Sequence, residues 1–325
     1  MLYLLVGIEV ADCERRQAAP RPEQRSEMRS TLTRLHALVR QHAARPTYLV
    51  TYSVARDAHV SSLLREVREG RDCEIGAFHQ AWETPPSCDE DLPHGPYALQ
   101  LPPDQFSAQI ACLTDAVAAA VGEEPLSYRS GLFGFSASHV FDLERAGYRV
   151  DSSVVPLLYE RPSGGPDFVA APPTPYFLSY DDPIAPGTSN LLEIPVSAAL
   201  NRRVPAAVER LYGRMPLPGI TKSLLGRIGV ARVQWLRPAT STLDDMCTLA
   251  RRLKQDGVPL LNLTLNVNDA ILASGSAAGT PPDLERFFMR LDGVLACIAR
   301  DLGAIPVTFS EFRALYCGGQ TGPLP

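Results

Sequence analysis

The sequence predicts an α/β protein: a single distorted barrel of seven or eight β-α units spanning residues 1–325. Short apolar strand patterns alternate with helical patterns almost from end to end, and no linker-like stretch divides them. A chain of 325 residues with 45% hydrophobic content also has enough apolar material for one large core. No internal repeat is visible.

The first unit is a continuous apolar strand, Leu2–Val10, followed by a helix over Glu23–Ala43 whose Met28, Leu32, Leu35, Leu38 and Val39 recur at helical spacing. Thr47–Ser53 reads as strand, Val60–Val67 as helix and Cys73–Phe78 as strand. Pro103–Val121 is a long helix with proline in its first turn. Leu126–Arg129 is a short strand, Ala137–Ala146 a helix closed by Gly147, and Tyr148–Val154 the next strand.

Residues 156–190 are dense in Pro, Gly, Asp and Ser and too long for a turn, which predicts an irregular excursion or a lid. Leu191–Val196 then reads as strand, Val204–Leu225 as helix, Val233–Leu236 as strand and Thr242–Gln255 as helix. Leu260–Leu265 as strand, Pro281–Leu302 as helix, Ile305–Thr308 as strand and a helix from Ser310 complete the pattern.

Composition narrows the function classes. A formal charge of −5 argues against a nucleic-acid binder, which needs a concentrated basic face. The seven cysteines are odd in number and lack metal-type pairing, so free thiols in a reducing, cytoplasmic setting are expected. The N-terminal apolar run is short and has neither a cationic lead nor a small-residue cleavage site, which fits a buried strand better than a secretion signal. No run approaches the ~18 apolar residues of a membrane span. Glycine-rich phosphate loops with the required strand and helix flanks, and a Gly-x-Ser-x-Gly elbow, are missing from the sequence.

In a barrel of this type chemistry collects where strands end. Those positions are Glu9 and Asp12, His79 and Trp82, Arg129, Ser152 and Ser153 beside Asp151, and Asn266 with Asn268 and Asp269. Of the six histidines only His79 and His94 fall in loops. A water-activating metal usually takes three protein ligands, so His79 and His94 would have to meet Glu9 or Asp12. A lone loop histidine is otherwise a hydrogen-bonding or surface residue. Asn268 and Asp269 serve as a cap for the following segment or, less favoured, as ligand contacts.

Several fragments in order carry a resemblance. They are Glu74–Ala77 with Trp82 and Thr84–Pro86, Ser127–Gly134 (SYRSGLFG), Val150–Val154 (VDSSV), Gly164–Phe168 (GGPDF) and Leu192–Ser197 (LEIPVS). With them the chain resembles the polysaccharide deacetylases, the NodB-homology carbohydrate esterases. The resemblance implies a distorted (β/α) barrel that removes acetyl groups from sugars with a zinc-type divalent metal held by an acid and two histidines. It also implies an arginine that orients the catalytic carboxylate.

The departures from the pattern fall on the chemistry. Gly7 replaces the aspartate two positions before Glu9, Phe78 and Gln80 stand where two loop histidines would, and Asn266 replaces a late histidine. An amide yields no proton near neutral pH and phenylalanine has no lone pair. What remains would hold a sugar: Trp82 stacks on a pyranose face or plugs the mouth, Arg129 and Asp151 pair, and Asn266 hydrogen-bonds.

The expectation is therefore a degenerate member: a carbohydrate-binding or regulatory pseudoenzyme with no cofactor, an acetylated glycan as ligand and a glycan-biosynthesis enzyme as possible partner. The alternative is an active N- or O-deacetylase with a rearranged site, using Glu9 or Asp12 with His79 and Asp269 and a metal bound by Glu9 and His79.

Overall fold

The computed structural model describes residues 1–11, 22–70, 72–86, 97–204, 232–274 and 281–319. The sheet begins with β1 (Tyr3–Val10), β2 (Pro46–Val50), β3 (Glu74–His79), β4 (Ser127–Ser130) and β5 (Val150–Asp151). They pair in parallel in that sequence order. Later come β6 (Tyr176–Phe177), β7 (Leu192–Glu193), β8 (Ala198–Leu200), β9 (Val233–Trp235), β10 (Leu260–Asn266) and β11 (Ile305–Pro306). The order is β10-β1-β2-β3-β4-β5-β7-β6, with β11 also beside β1, and β6 is antiparallel. This is the predicted distorted (β/α) barrel.

Helices cover its outside: α1 (Pro22–Gln41), α2 (Tyr52–Arg56), α3 (Ala58–Glu69), α4 (Pro103–Val121), α5 (Val140–Arg145), α6 (Leu243–Gln255), α7 (Val267–Ser274), α8 (Pro281–Ala296) and α9 (Phe309–Gly319). In α4 the buried Phe106, Ile110, Leu113 and Val117 form one stripe, and Gly122 ends it at φ 79, a left-handed conformation that glycine adopts without strain. Among the described residues no helix is long and apolar enough to cross a membrane. The expected helix Val204–Leu225 falls almost wholly outside the described residues.

Every residue of β1 after Tyr3 is buried, because the strand has apolar matter on both faces. Alternation divides that matter into two cores. Leu4, Val6, Ile8 and Val10 pack under the helices. Leu5 packs inside the barrel with Leu49, Phe78, Val150, Leu192 and Phe309.

Several strands are shorter than their apolar patterns suggest. Only Val150–Asp151 and Leu192–Glu193 hold ladder bonds in β5 and β7, because the side chains that follow turn to other work. The excursion over 156–190 is packed. Its β6 extends the sheet edge, Tyr316 of α9 donates to the Pro175 carbonyl, and Gly165 fits against the Tyr97 ring, where a Cβ would stand 2.7 Å from it.

No ladder joins β7 to β10. The seam is closed by Ser197 N donating to the Asn262 carbonyl at 3.2 Å and Asn262 N donating to Ser197 Oγ at 2.9 Å. Leu236 bridges onward, accepting from Thr264 N and donating to the Ser197 carbonyl. The buried Asn262 amide donates to the Ile194 and Pro195 carbonyls and to Ser152 Oγ, at 3.0–3.2 Å. Asn262→Ala orphans the buried Pro195 carbonyl, while the Ile194 carbonyl keeps the Ser152 hydroxyl at 2.9 Å, so urea denaturation is expected to show a loss of about 1–3 kcal/mol. A loss below about 0.5 kcal/mol would mean that the seam does not depend on this amide.

Candidate functional site

Gly7 faces the barrel interior, since a Cβ there would stand 3.1 Å from both Arg129 Nη2 and the Phe309 ring. The space that a side chain at position 7 would take is filled by the Arg129 guanidinium, which is fully buried. Its Nη1 donates to Glu9 Oε1 at 3.1 Å and to Thr264 Oγ1 at 2.7 Å. Nε donates to the Ser152 carbonyl at 2.7 Å and Nη2 to Ser152 Oγ at 2.8 Å. Phe133 and Phe309 lie 5.8 and 5.9 Å from its central carbon.

Above this cation lies the mouth. Glu9 is 7% exposed, and its second oxygen accepts from Asn266 Nδ2 at 3.2 Å. Asn266 caps α7, accepting from Asn268 N at 2.9 Å, while Asp269 reaches back to accept from Asn266 N at 3.2 Å. Asp269 is gripped by the Arg237 fork at 3.1–3.3 Å. Burial pushes its carboxyl above the usual range, partly offset by the Arg237 charge.

Beside this group Phe133 meets Trp235 edge to face, 5.8 Å between ring centres. Leu132 and Phe133 are both in the left-handed region, φ 53 and 58, a strain of about 1–3 kcal/mol each that the surroundings must enforce. Gly131 before them is required, as a Cβ would approach the His79 carbonyl to 2.8 Å.

Glu9, Arg129, Asn266 and Asp269 are thus brought together, and other candidates go elsewhere. His79 points outward from β3 and has no exposed surface. Gln109 Nε2 donates to the Ala81 and Pro86 carbonyls, so its Oε1 accepts from His79 Nε2 at 2.7 Å. His79 Nδ1 then accepts from the Tyr128 hydroxyl at 3.2 Å. Both ring nitrogens are occupied, and burial lowers the imidazole pKa to about 4. His79 ties β3 to α4; it does not meet Glu9.

Asp151 is the second correction, since it does not pair with Arg129. Its register partner Tyr128 faces the helices, as does Asp151 itself, whereas Arg129 faces inward. The partner of Asp151 is Glu193, directly opposite on β7, and both are fully buried. Asp151 Oδ1 accepts from Ser153 Oγ at 2.5 Å and Glu193 Oε1 from Val154 N at 3.1 Å. Burial raises the Asp151 pKa to about 6 against the hydrogen bonds from Glu193 and Ser153 that lower it, and burial together with the Asp151 charge raises Glu193 well above normal, which favours one proton shared between them. Trp82 is half-buried in the turn after β3. Asp12 and His94 lie outside the described residues.

The divalent metal implied by the resemblance does not fit this donor set. Gly7 offers nothing and Arg129 fills its space; Phe78, inside the barrel, has no lone pair; Asn266 offers an amide committed to Glu9 and a helix cap. Among the described residues no three His, Cys, Asp or Glu side chains gather to hold an ion. Sequence reasoning missed Arg237, Glu193, Thr264 and Trp235. The one available signal was Trp235, one of only two tryptophans, two residues before a lone arginine at a strand end.

Interior polar network and aromatic-edged mouth sit on an architecture found in carbohydrate-active proteins. No protein-family model and no curated protein matches the sequence. Among solved structures, a presumptive glycoside hydrolase/deacetylase from Parabacteroides distasonis matches with TM-score 0.67 and 13% identity, covering 99% of this chain and 72% of that one. A presumptive polysaccharide deacetylase from Mycobacterium smegmatis matches with TM-score 0.55 and 14% identity, covering 99% and 93%. The chain therefore has a polysaccharide-deacetylase-like fold.

Arg129→Met leaves Glu9 charged, buried and without its cation, an expected loss of about 3–5 kcal/mol in urea denaturation. Adding Glu9→Gln is expected to recover part of that loss; a double variant as weak as the sum of two singles would refute the pairing. The acid pair has its own signature. Its raised values mean that the folded chain holds a proton the unfolded chain has released, so stability falls as pH rises toward the folded value. Between pH 7.5 and 9 the buried histidines are largely neutral in the folded and the unfolded chain alike, and Glu193→Gln is expected to flatten a decline of up to about 1.4 kcal/mol per pH unit. Parallel thermal-melt profiles of the two proteins across that window would exclude the shared proton.

Proposed function

We propose that this protein binds an acetylated saccharide at the barrel mouth without metal-dependent hydrolysis, acting as a recognition or regulatory protein. One observation carries the reading: the Arg129 guanidinium packs against Gly7 and engages Glu9, so the place that the resemblance gives to an aspartate two positions before Glu9 is filled by a cation. The solved structures of like fold that are named as deacetylases supply the ligand class.

The mouth suits such a ligand. Phe133 and Trp235 offer apolar ring edges to a pyranose face, Leu132 adds an exposed side chain, and the second Nδ2–H of Asn266, together with Asp269 and Arg237, offers donors and acceptors to hydroxyl and acetamide groups. Leu158 of the 156–190 excursion packs on the same buried cluster of Val155, Val196 and Ala198 as Phe133 and Trp235.

Protein purified without chelator is expected to carry well under one equivalent of divalent metal and to release no acetate from chitotetraose. Calorimetric titration is expected to detect chitotetraose binding, weakened about ten-fold in Trp235→Ala. A stoichiometric ion together with acetate release that Glu9→Gln abolishes would overturn the reading in favour of a deacetylase with a rearranged site.

A further inference from the structure

Behind Asp269 the surface opens into a cavity of about 300 Å³, walled by Pro238, Asp269, Asp283, Arg286, Phe287 and Arg290. Asp269 is shared: one side of its carboxylate meets Arg237 at the mouth, and the residue also lines this cavity. The cavity is therefore the immediate neighbour of the saccharide site.

Its charges are unequally satisfied. Asp269 is neutralised by the Arg237 fork, and Asp283 by Arg286 three residues on, at 2.6 Å. Arg290 stands four residues beyond Arg286 on α8, hence on the same face. Its Nη1 donates to the Pro238 carbonyl at 3.3 Å, and among the described residues no carboxylate pairs with it. One guanidinium with four N–H groups left to offer thus looks into a concave space whose two acids are already engaged.

We propose that this cavity is a subsite for a negatively charged substituent, a carboxylate or a phosphate, on the saccharide bound at the mouth, with Arg290 as its principal partner and Arg286 as the second. The inference rests on the saccharide-binding reading and adds to it the substrate class: an acidic glycan. A planar guanidinium matches either anion through two parallel hydrogen bonds, and the partly dry wall formed by Phe287 and Pro238 strengthens the attraction.

The test titrates the full chain with chitotetraose as the neutral probe, a hyaluronan tetrasaccharide for the carboxylate and N-acetylglucosamine 6-phosphate, against N-acetylglucosamine, for the phosphate. At least one anionic probe is expected to bind about ten-fold more tightly than its neutral counterpart, and Arg290→Gln to cut that ratio below about two-fold. A thermal melt of Arg290→Gln like that of the parent excludes a folding defect. Neutral and anionic probes binding equally would overturn the subsite while leaving the saccharide reading intact. A preference that survives in both Arg290→Gln and Arg286→Gln would overturn the assignment to this cavity, and no binding of any probe would overturn both.

Discussion

A guanidinium sealed inside a protein must find acceptors in several directions at once, and Arg129 imposes that demand on the whole barrel. It is answered from strand β1 by Glu9, from the end of β5 by both the carbonyl and the hydroxyl of Ser152, and from β10 by Thr264. Those strands are far apart in sequence, so one side chain fixes how they converge. Gly7 makes room for it, and the rings of Phe133 and Phe309 stand 5.8 and 5.9 Å from it. The left-handed pair Leu132 and Phe133 belongs to the same surroundings, in the coil that carries the Phe133 ring beside the cation.

Polar chemistry in this barrel is stratified by the two-residue period of its strands. On β4, Arg129 looks inward while Tyr128 and Ser130 look outward. At β5 and just beyond it, Ser152 looks inward while Asp151 and Ser153 look outward. One layer is a cation satisfied by a carboxylate and hydroxyls; the other is an acid pair that stays buried by sharing a proton, next to the Tyr128–His79–Gln109 chain. A thickness of backbone separates two networks that their sequence neighbours would suggest are one.

That separation explains what could be read in advance. The strand and helix rhythm was legible because buried strands and striped helices write their period in apolar residues, and the grouping of Glu9, Arg129, Asn266 and Asp269 followed from their positions at strand ends. The partners were not legible. Asp151 sits next to Ser152 in the chain, yet only register and facing tell which one meets Arg129. His79 read as a loop ligand because its neighbours on both sides resemble a site loop; a single step along β3 sends it to the helices and Phe78 to the interior. Arg237 was silent because an isolated arginine after a short strand has no pattern, and its importance comes from Asp269, thirty-two positions later.

The seam at β7 and β10 has a consequence for how the molecule behaves in a crowd. A curled sheet that fails to close leaves bare amide and carbonyl groups along its last strand, and such a border invites a strand from a second molecule. Here Ser197, Leu236 and the Asn262 side chain engage those groups one by one, without the regular spacing that a visiting strand needs. The irregular suture is thus a guard against self-association, set where the architecture is weakest.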